Sequence, residues 1–108
     1  MKLMNSAMMP QPGLYYCREI TRGEFCAILK KEHAEGTLEN FVSYQQNLDL
    51  IEEWTGVKLS PSRGLCEMKD KDGTIVMRLN YRPTPGTKGD KIINEDDFSF
   101  FTVTYTAN

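Results

Sequence analysis

Hydrophobic positions along the chain change between strand-like and helix-like spacing, which predicts a domain containing both kinds of element. Strands are expected where apolar or aromatic residues alternate or run together, at residues 1–8, 14–20, 40–43, 63–69, 74–82 and 98–105. One helix is expected after the capping box Thr21-Arg22-Gly23-Glu24, with Phe25, Ile28 and Leu29 on one face. The pattern predicts an α+β fold, a mixed β-sheet with two helices packed mainly on one face.

The second helix is expected to begin near Gln46 or Asn47 and to end before Gly56, a residue suited to a left-handed helix end. Two turns predict how strands pair. The turn Gln11-Pro12-Gly13 makes residues 14–20 a strand returning from the first one, and Asp70-Lys71-Asp72-Gly73 predicts a hairpin between residues 63–69 and 74–82.

The last strand is apolar on both faces, with Phe98 and Phe100 on one side and Phe101, Val103 and Tyr105 on the other. A strand exposed to water on neither face is covered by helices on one side and by something else on the other. A second subunit is a candidate for that cover. We therefore expect a homodimer or a higher oligomer.

Composition limits the classes of function. The 108 residues form one domain, 1–108, with 40% hydrophobic and 26% charged residues, as in ordinary globular proteins. A net charge of −2 argues against nonspecific binding of DNA, although a small anion needs only a few local cations. The spacing of the three cysteines suggests neither a disulfide framework nor a metal site, no cofactor is implied, and no stretch is long and apolar enough for a membrane span.

Uncharged polar residues cluster at one predicted strand-to-helix junction, Ser43-Tyr44-Gln45-Gln46-Asn47. Such a junction directs unpaired backbone N–H groups outward, which suits a phosphate. Its side chains donate and accept hydrogen bonds but are poor proton-transfer groups at neutral pH. The junction is therefore interpreted as a site that holds a ligand. The alternative is that Asn47 only caps the helix and the glutamines are solvated.

Five further features are candidates for ligand contact. Arg63 and Arg82 are expected near the same end of the predicted hairpin, where two guanidinium groups can converge on an anion. The polar residues in Asn5-Ser6-Ala7 interrupt an apolar strand, although they could be satisfied within the sheet end. Tyr81, Phe98 and Phe100 could stack on an adenine or belong to the core, and Asn94 could contact a base edge or cap a turn. Residues 83–97 form a candidate binding loop.

The order of short motifs resembles a family of small viral proteins. The motifs are Leu3-Met4-Asn5-Ser6-Ala7, Thr55-Gly56-Val57, Pro61-Ser62-Arg63 and Leu79-Asn80-Tyr81-Arg82. Similar proteins include the viral ring nucleases, which cleave cyclic oligoadenylate, and the Thoeris anti-defence proteins of phages, which sequester cyclic ADP-ribose-type signals. The resemblance implies that Arg63, Arg82 and Ser6 contact a cyclic nucleotide.

The chain departs from the ring nucleases at two positions. Tyr44 stands where those enzymes carry a catalytic histidine, and a phenol is a much weaker acid at pH 7 than an imidazolium. Arg82 is followed by Pro83-Thr84-Pro85-Gly86, with no carboxylate where the family has a glutamate shortly after the arginine. We therefore expect a phage protein of the host cytoplasm that sequesters a cyclic nucleotide signal without cleaving it. The alternatives are a slow ring nuclease and an inhibitor that binds a host defence protein directly.

Overall fold

A computed structural model describes residues 1–5, 11–62, 69, 72–80 and 95–107 of the chain. The strands are β1 (Lys2–Met4), β2 (Leu14–Ile20), β3 (Glu39–Asn40), β4 (Gly73–Leu79) and β5 (Phe98–Thr106). The helices are α1 (Arg22–Ala34) and α2 (Gln45–Thr55), and a 3-10 turn covers Glu95–Asp97.

The five strands form one mixed sheet in the order β2-β5-β4-β1-β3. β1 lies parallel to both β3 and β4, whereas β5 runs antiparallel to β4 and to β2. The α+β prediction, with a mixed sheet and two helices, is confirmed.

Helix α1 begins at a complete capping box. The Thr21 hydroxyl accepts a hydrogen bond from the Glu24 backbone N–H at 3.1 Å, and the Glu24 carboxylate accepts one from the Thr21 N–H at 3.0 Å. Each group satisfies a backbone donor that has no partner within the helix. The capping-box prediction is confirmed.

Helix α2 begins at Gln45, one or two residues earlier than the predicted start near Gln46 or Asn47, and ends as expected. Leu48 and Ile51 are buried, while Glu52 and Glu53 face water. Gly56 has a φ of 75°, in the left-handed region, and its N–H donates to the Glu52 carbonyl at 2.8 Å. Glycine adopts this conformation without the steric cost that a Cβ atom adds, so it suits the end of the helix.

Both helices pack on the same sheet face. The Phe25 ring of α1 lies 4.9 Å from that of Phe100, and Trp54 of α2 lies 6.4 Å from Phe98 and 5.9 Å from Phe100, edge to face. Phe98 and Phe100 are buried in this core. Of the two predictions for them, base stacking or core packing, the structure places them in the core.

The opposite sheet face is also largely apolar, as the final strand predicted. Val76 and Val103 are buried on it, and Tyr105 packs against Tyr15 with ring centroids 4.9 Å apart. Farther along the same face, the Arg78 guanidinium lies 4.9 Å from the centroid of the half-buried Phe101 ring, a cation–π contact.

Two predicted strand pairings differ from the structure. Residues 14–20 were expected to return beside β1, but β2 pairs with β5 and is separated from β1 by two strands. β4 was expected to pair with residues 63–69, yet along Thr74–Val76 it has β1 on one side and β5 on the other. Residues 63–68 lie outside the described residues. Of the predicted turn, residues 70 and 71 also lie outside the described residues, and the Asp72 N–H donates to the Lys69 carbonyl at 2.9 Å.

Within the described part of the chain, no helix is both long and apolar enough to cross a membrane.

Candidate functional site

The carboxyl ends of the three parallel strands meet at one edge of the sheet, and α2 begins there. Asn5 follows β1, and residues 41–44 lead from β3 to the start of α2. Leu3 pairs with Asn40 of β3 and with Ile75 of β4, so these positions of the three strands lie side by side in the sheet. Ligands of open sheets commonly bind beyond the carboxyl ends of parallel strands, where a helix N-terminus is close.

The backbone at the start of α2 is not closed by a side chain. Tyr44 occupies the N-cap position and makes no capping hydrogen bond with its side chain. Its carbonyl accepts the N–H groups of Asn47 at 3.2 Å and Leu48 at 3.3 Å. Within the described residues, the N–H groups of Gln45 and Gln46 have no hydrogen-bond partner. Two donors therefore remain available for an anion at the positive end of the helix dipole.

Asn47 lies inside the domain without a described partner for its side chain. It is only 6% exposed, and it shares a helix face with Ile51, which is buried in the core. No described residue hydrogen-bonds its side-chain amide. The alternative interpretation of Asn47 as the helix N-cap is wrong, because the N-cap is Tyr44 and Asn47 is the third helical residue. A buried amide without a partner costs about 1–3 kcal/mol, which a ligand can recover.

The other predicted residues of the junction differ in their surroundings. The Gln45 amide donates to the Asp49 carboxylate at 2.7 Å, so this side chain turns back along its own helix. Gln46 is exposed, and neither its amide nor that of Asn5 has a hydrogen-bond partner among the described residues. Tyr44 is 46% exposed, an unusual value for so large an aromatic side chain. At the start of α2, the Gln46 amide and the Tyr44 ring are therefore exposed, whereas the Asn47 amide is buried.

Asn40 positions this junction and was not among the predicted site residues. Its side-chain oxygen accepts the Val42 N–H at 2.9 Å, and its amide donates to the Ser60 carbonyl at 2.8 Å. The Val42 carbonyl in turn accepts the Ser62 N–H at 2.9 Å. An asparagine that bonds a backbone group two residues later is typical of an Asx turn, so its position after the short strand was the available signal.

Six predicted ligand residues lie outside the described residues, namely Ser6, Ala7, Arg63, Tyr81, Arg82 and Asn94, and so do residues 83–94 of the candidate loop. The described residues next to them in the chain all lie at the same sheet edge. They are Asn5 after β1, Ser62 beside Val42, Asn80 after β4 and Glu95 before β5. The topology therefore brings the described neighbours of the predicted residues to one end of the sheet.

The Asp49 carboxylate lies near the start of α2, where the Gln45 side-chain amide donates to it. The first turn of α2 holds no acidic residue, whereas Asp96 and Asp97 precede β5, which β4 and β1 separate from β3. The Asn80 side-chain oxygen accepts a hydrogen bond from the Ser99 hydroxyl at 2.9 Å on the β4–β5 side. An anion is thus expected on the β1–β3 side of the edge, next to α2.

The titratable groups with shifted pKa values serve other parts of the structure. Hydrogen bonds from Thr21 lower the pKa of Glu24, and hydrogen bonds from Lys2 and Lys69 lower the pKa of Asp72. Lys2 and Asp72 form a salt bridge of 2.7 Å that joins β1 to the start of β4. Burial raises the pKa of the Cys26 thiol, so Cys26 is a poor nucleophile.

His33 is exposed in the last turn of α1. Among the described residues, no group of His, Cys, Asp and Glu has an arrangement that could hold a metal ion.

The fold and the site together define a class of protein: a small α+β domain whose parallel strand ends and open helix start form one polar edge. The chain belongs to the STIV B116-like family, a viral protein family, whose model matches residues 1–105. Its structure is similar to that of B116 of Sulfolobus turreted icosahedral virus, with a TM-score of 0.77 and 19% sequence identity over 94% of this chain and 96% of that chain. At this identity the likeness shows the fold alone. No curated protein matches the chain.

Proposed function

We propose that this protein is an anti-defence protein of a phage that sequesters a cyclic nucleotide immune signal without cleaving it. The signal is a cyclic ADP-ribose isomer or a cyclic oligonucleotide, both of which carry phosphates and adenine-like base edges. Membership of a viral protein family supports a viral role. The resemblance of the motifs to Thoeris anti-defence proteins and ring nucleases directs the proposal to this class of ligand.

One observation carries the proposal. The buried Asn47 amide, without a described partner, lies one residue after two N–H donors that also lack a described partner at the start of α2. Backbone N–H groups at a helix start bind phosphate oxygens, and an amide can donate to a phosphate or pair with a base edge. A ligand that combines phosphate and base satisfies both kinds of group.

The chemistry of the junction supports retention of the ligand. Cleavage of a cyclic oligonucleotide requires an acid that protonates the leaving oxygen, and such catalysis contributes typically about 10²–10⁴-fold to the rate. The described residues of the junction offer amides, a serine hydroxyl and the Tyr44 phenol. These groups bind phosphates well but transfer protons poorly near pH 7.

In this proposal the protein acts in the host cytoplasm as a homodimer or higher oligomer, with ligand sites where subunits meet. Arg63 and Arg82 supply the positive charge, Ser6 and Ala7 extend the Asn5 side of the site, and Tyr81 and Asn94 contact the base. A sequestering protein must bind its ligand more tightly than the host receptor does. Several charge-assisted hydrogen bonds of about 1.5–3 kcal/mol each are suited to that purpose.

The test is to incubate the purified protein with cyclic ADP-ribose isomers and cyclic oligonucleotides, remove the unbound compounds, and denature the protein by heat. The released compounds are identified by chromatography and mass. We expect intact ligand from the wild type and none from Arg82→Ala. Lys58→Gln is the control, because it also removes one positive charge but lies beyond the other end of α2, where residue 58 is exposed.

The other outcomes separate the alternatives. Linear products would identify the protein as a ring nuclease and would contradict sequestration. Recovery of no compound at all would favour direct binding to a host defence protein.

A further inference from the structure

The side chain of Asn40 joins the chain before α2 to the chain after it. Asn40 is the last residue of β3, and its side-chain oxygen accepts the Val42 N–H at 2.9 Å. Its amide nitrogen donates to the Ser60 carbonyl at 2.8 Å and to the Val42 carbonyl at 3.3 Å. Val42 lies between β3 and α2, whereas Ser60 follows α2. One half-buried side chain therefore bonds the chain on both sides of the helix.

Backbone hydrogen bonds close the same segment. The Ser62 N–H donates to the Val42 carbonyl at 2.9 Å, and Val42 itself is fully buried. One residue earlier, the Phe41 N–H donates to the Leu3 carbonyl at 2.9 Å, which attaches the segment to β1. Residues 42–62, the α2 loop, thus have their two ends bonded to each other beside the sheet. A shift of the start of α2 relative to the sheet would break these bonds.

The start of α2 depends on this attachment because the helix has no side-chain cap of its own. At α1 a capping box holds the first turn, whereas Tyr44 makes no capping hydrogen bond with its side chain. Tyr44 lies two residues after Val42, and the N–H groups of Gln45 and Gln46 follow directly. The direction of these two donors is therefore set through Val42, which Asn40 holds by two hydrogen bonds.

We propose that Asn40 is a positioning residue of the site at α2, which holds the two backbone donors in the orientation that receives a phosphate. Both hydrogens of its amide are donated to carbonyl groups, so Asn40 acts through Val42 and not by donating to the ligand. Donors that are oriented before binding give a higher affinity, because no ordering cost is subtracted from the binding free energy. This inference deepens the proposed function and rests on it, since it concerns the same site.

A purely structural role for Asn40 makes a different prediction. Hydrogen bonds that serve only the fold lower the stability of the domain when they are removed, but they leave the affinity of the folded protein unchanged. A positioning role lowers the affinity of protein that is still folded. Thr21 provides the comparison, because its side chain also bonds a backbone N–H at a helix start.

The first test compares Asn40→Ala with Thr21→Ala. Inorganic pyrophosphate is titrated into each labelled protein, and the amide resonances of Gln45 and Gln46 report its binding. Pyrophosphate carries two phosphates and no base, so it tests the anion site alone. We expect about tenfold weaker binding to Asn40→Ala and unchanged binding to Thr21→Ala. Wild-type affinity in Asn40→Ala, an equal loss in Thr21→Ala, or no binding to the wild type would overturn the inference.

The second test uses the unmodified protein and is decisive even if Asn40→Ala fails to fold. Amide hydrogen exchange at Val42 and Ser62 is measured with and without pyrophosphate. If the α2 loop positions the donors, binding and closure of the loop favour each other, so pyrophosphate slows exchange at both amides. The Thr21 and Glu24 amides at the start of α1 keep their exchange rates. Unchanged exchange at Val42 and Ser62, or equal slowing at the start of α1, would overturn the inference.

Failure of this inference differs from failure of the proposed function. If no cyclic nucleotide is captured but pyrophosphate binding depends on Asn40 as expected, the site binds another phosphate ligand and the inference stands. If a cyclic nucleotide is captured equally by Asn40→Ala and by the wild type, the proposed function stands and the inference fails.

Discussion

The two helices of this domain begin in opposite ways. At α1, the Thr21 hydroxyl and the Glu24 carboxylate close the helix start reciprocally. At α2, Tyr44 supplies no capping side chain, and the N–H groups of Gln45 and Gln46 have no partner among the described residues. The same chain thus satisfies one helix start and leaves the other unsatisfied.

On the basis of this difference we propose that the start of α2 binds a ligand, whereas the start of α1 serves the stability of the helix. A capped start contributes about 1 kcal/mol to stability and offers nothing to a ligand. An open start gives up that contribution but keeps donors at the positive end of a helix dipole. β2 runs in the same direction as β1, β3 and β4, so both helices begin at the same end of the sheet. We propose binding at α2 because its start has no side-chain cap and keeps backbone donors without a described partner.

The largest expected effect comes from placing a negative charge at the open start. Asn47→Asp keeps the shape of the side chain but sets a carboxylate beside the phosphate. We expect ligand affinity to fall at least a hundredfold, roughly 2.7 kcal/mol, as measured by calorimetry. Lys58→Gln makes the same change in net charge and should bind like the wild type. If both variants bind equally well, Asn47 does not face the ligand.

A smaller effect should follow from capping α2 artificially. Tyr44→Ser and Tyr44→Ala remove the same ring, but only serine adds an N-cap hydroxyl. We expect the serine variant to be more stable than the alanine variant by about 1 kcal/mol, since serine is a strong N-cap residue. It should also bind ligand roughly fivefold more weakly, because the hydroxyl occupies a donor that the ligand needs. Denaturant unfolding and calorimetry provide the two measurements, and equal affinities would argue against binding by the backbone.

The reverse experiment opens the closed start. Thr21→Ala should lower the free energy of unfolding by about 1 kcal/mol while leaving ligand affinity unchanged. Thr21→Ser retains the hydroxyl and is the matched control. A loss of affinity in the alanine variant would show that α1 also contributes to the site.

The smallest expected effect is a loss of stability at the start of α1 at low pH. The pKa of Glu24 is lowered by its hydrogen bonds to Thr21, so its contribution to stability is present above the ordinary glutamate pKa and is lost as pH falls through the lowered value. We expect the protection of the Thr21 amide, its exchange rate relative to an unstructured peptide at the same pH, to fall in that range while the protection at the start of α2 stays constant. Glu24→Gln should remove this pH dependence, and its persistence in that variant would assign it to another group.

Local sequence signals predicted the helices well and the sheet order poorly. The capping box and Gly56 specify helix ends through neighbouring atoms, so both could be recognised from a few residues. Strand pairing depends on contacts between distant segments, and no local pattern distinguishes a returning strand from one that crosses the sheet. Residues 14–20 were therefore predicted to pair with β1, although β2 is an edge strand that β5 and β4 separate from β1.

The candidate site was predictable to a similar extent. Its position at the junction before α2 followed from the polar residues there. The burial of the Asn47 side chain and its lack of a described hydrogen-bond partner could not be predicted, because both depend on the sheet against which α2 packs. Asn40 was missed since its role, which is to hold Val42 and Ser60 in place, appears only in the folded chain.

The most direct measurement is the response of backbone amides to ligand in the labelled protein. Each cyclic ADP-ribose isomer and cyclic oligonucleotide is titrated while the amide resonances of both helix starts are followed. The account predicts large shifts at Gln45 and Gln46, where the N–H groups receive a phosphate, and none at Arg22 and Gly23 in α1. Binding of a ligand without a response at Gln45 and Gln46 would contradict the assignment of the open helix start as the binding site.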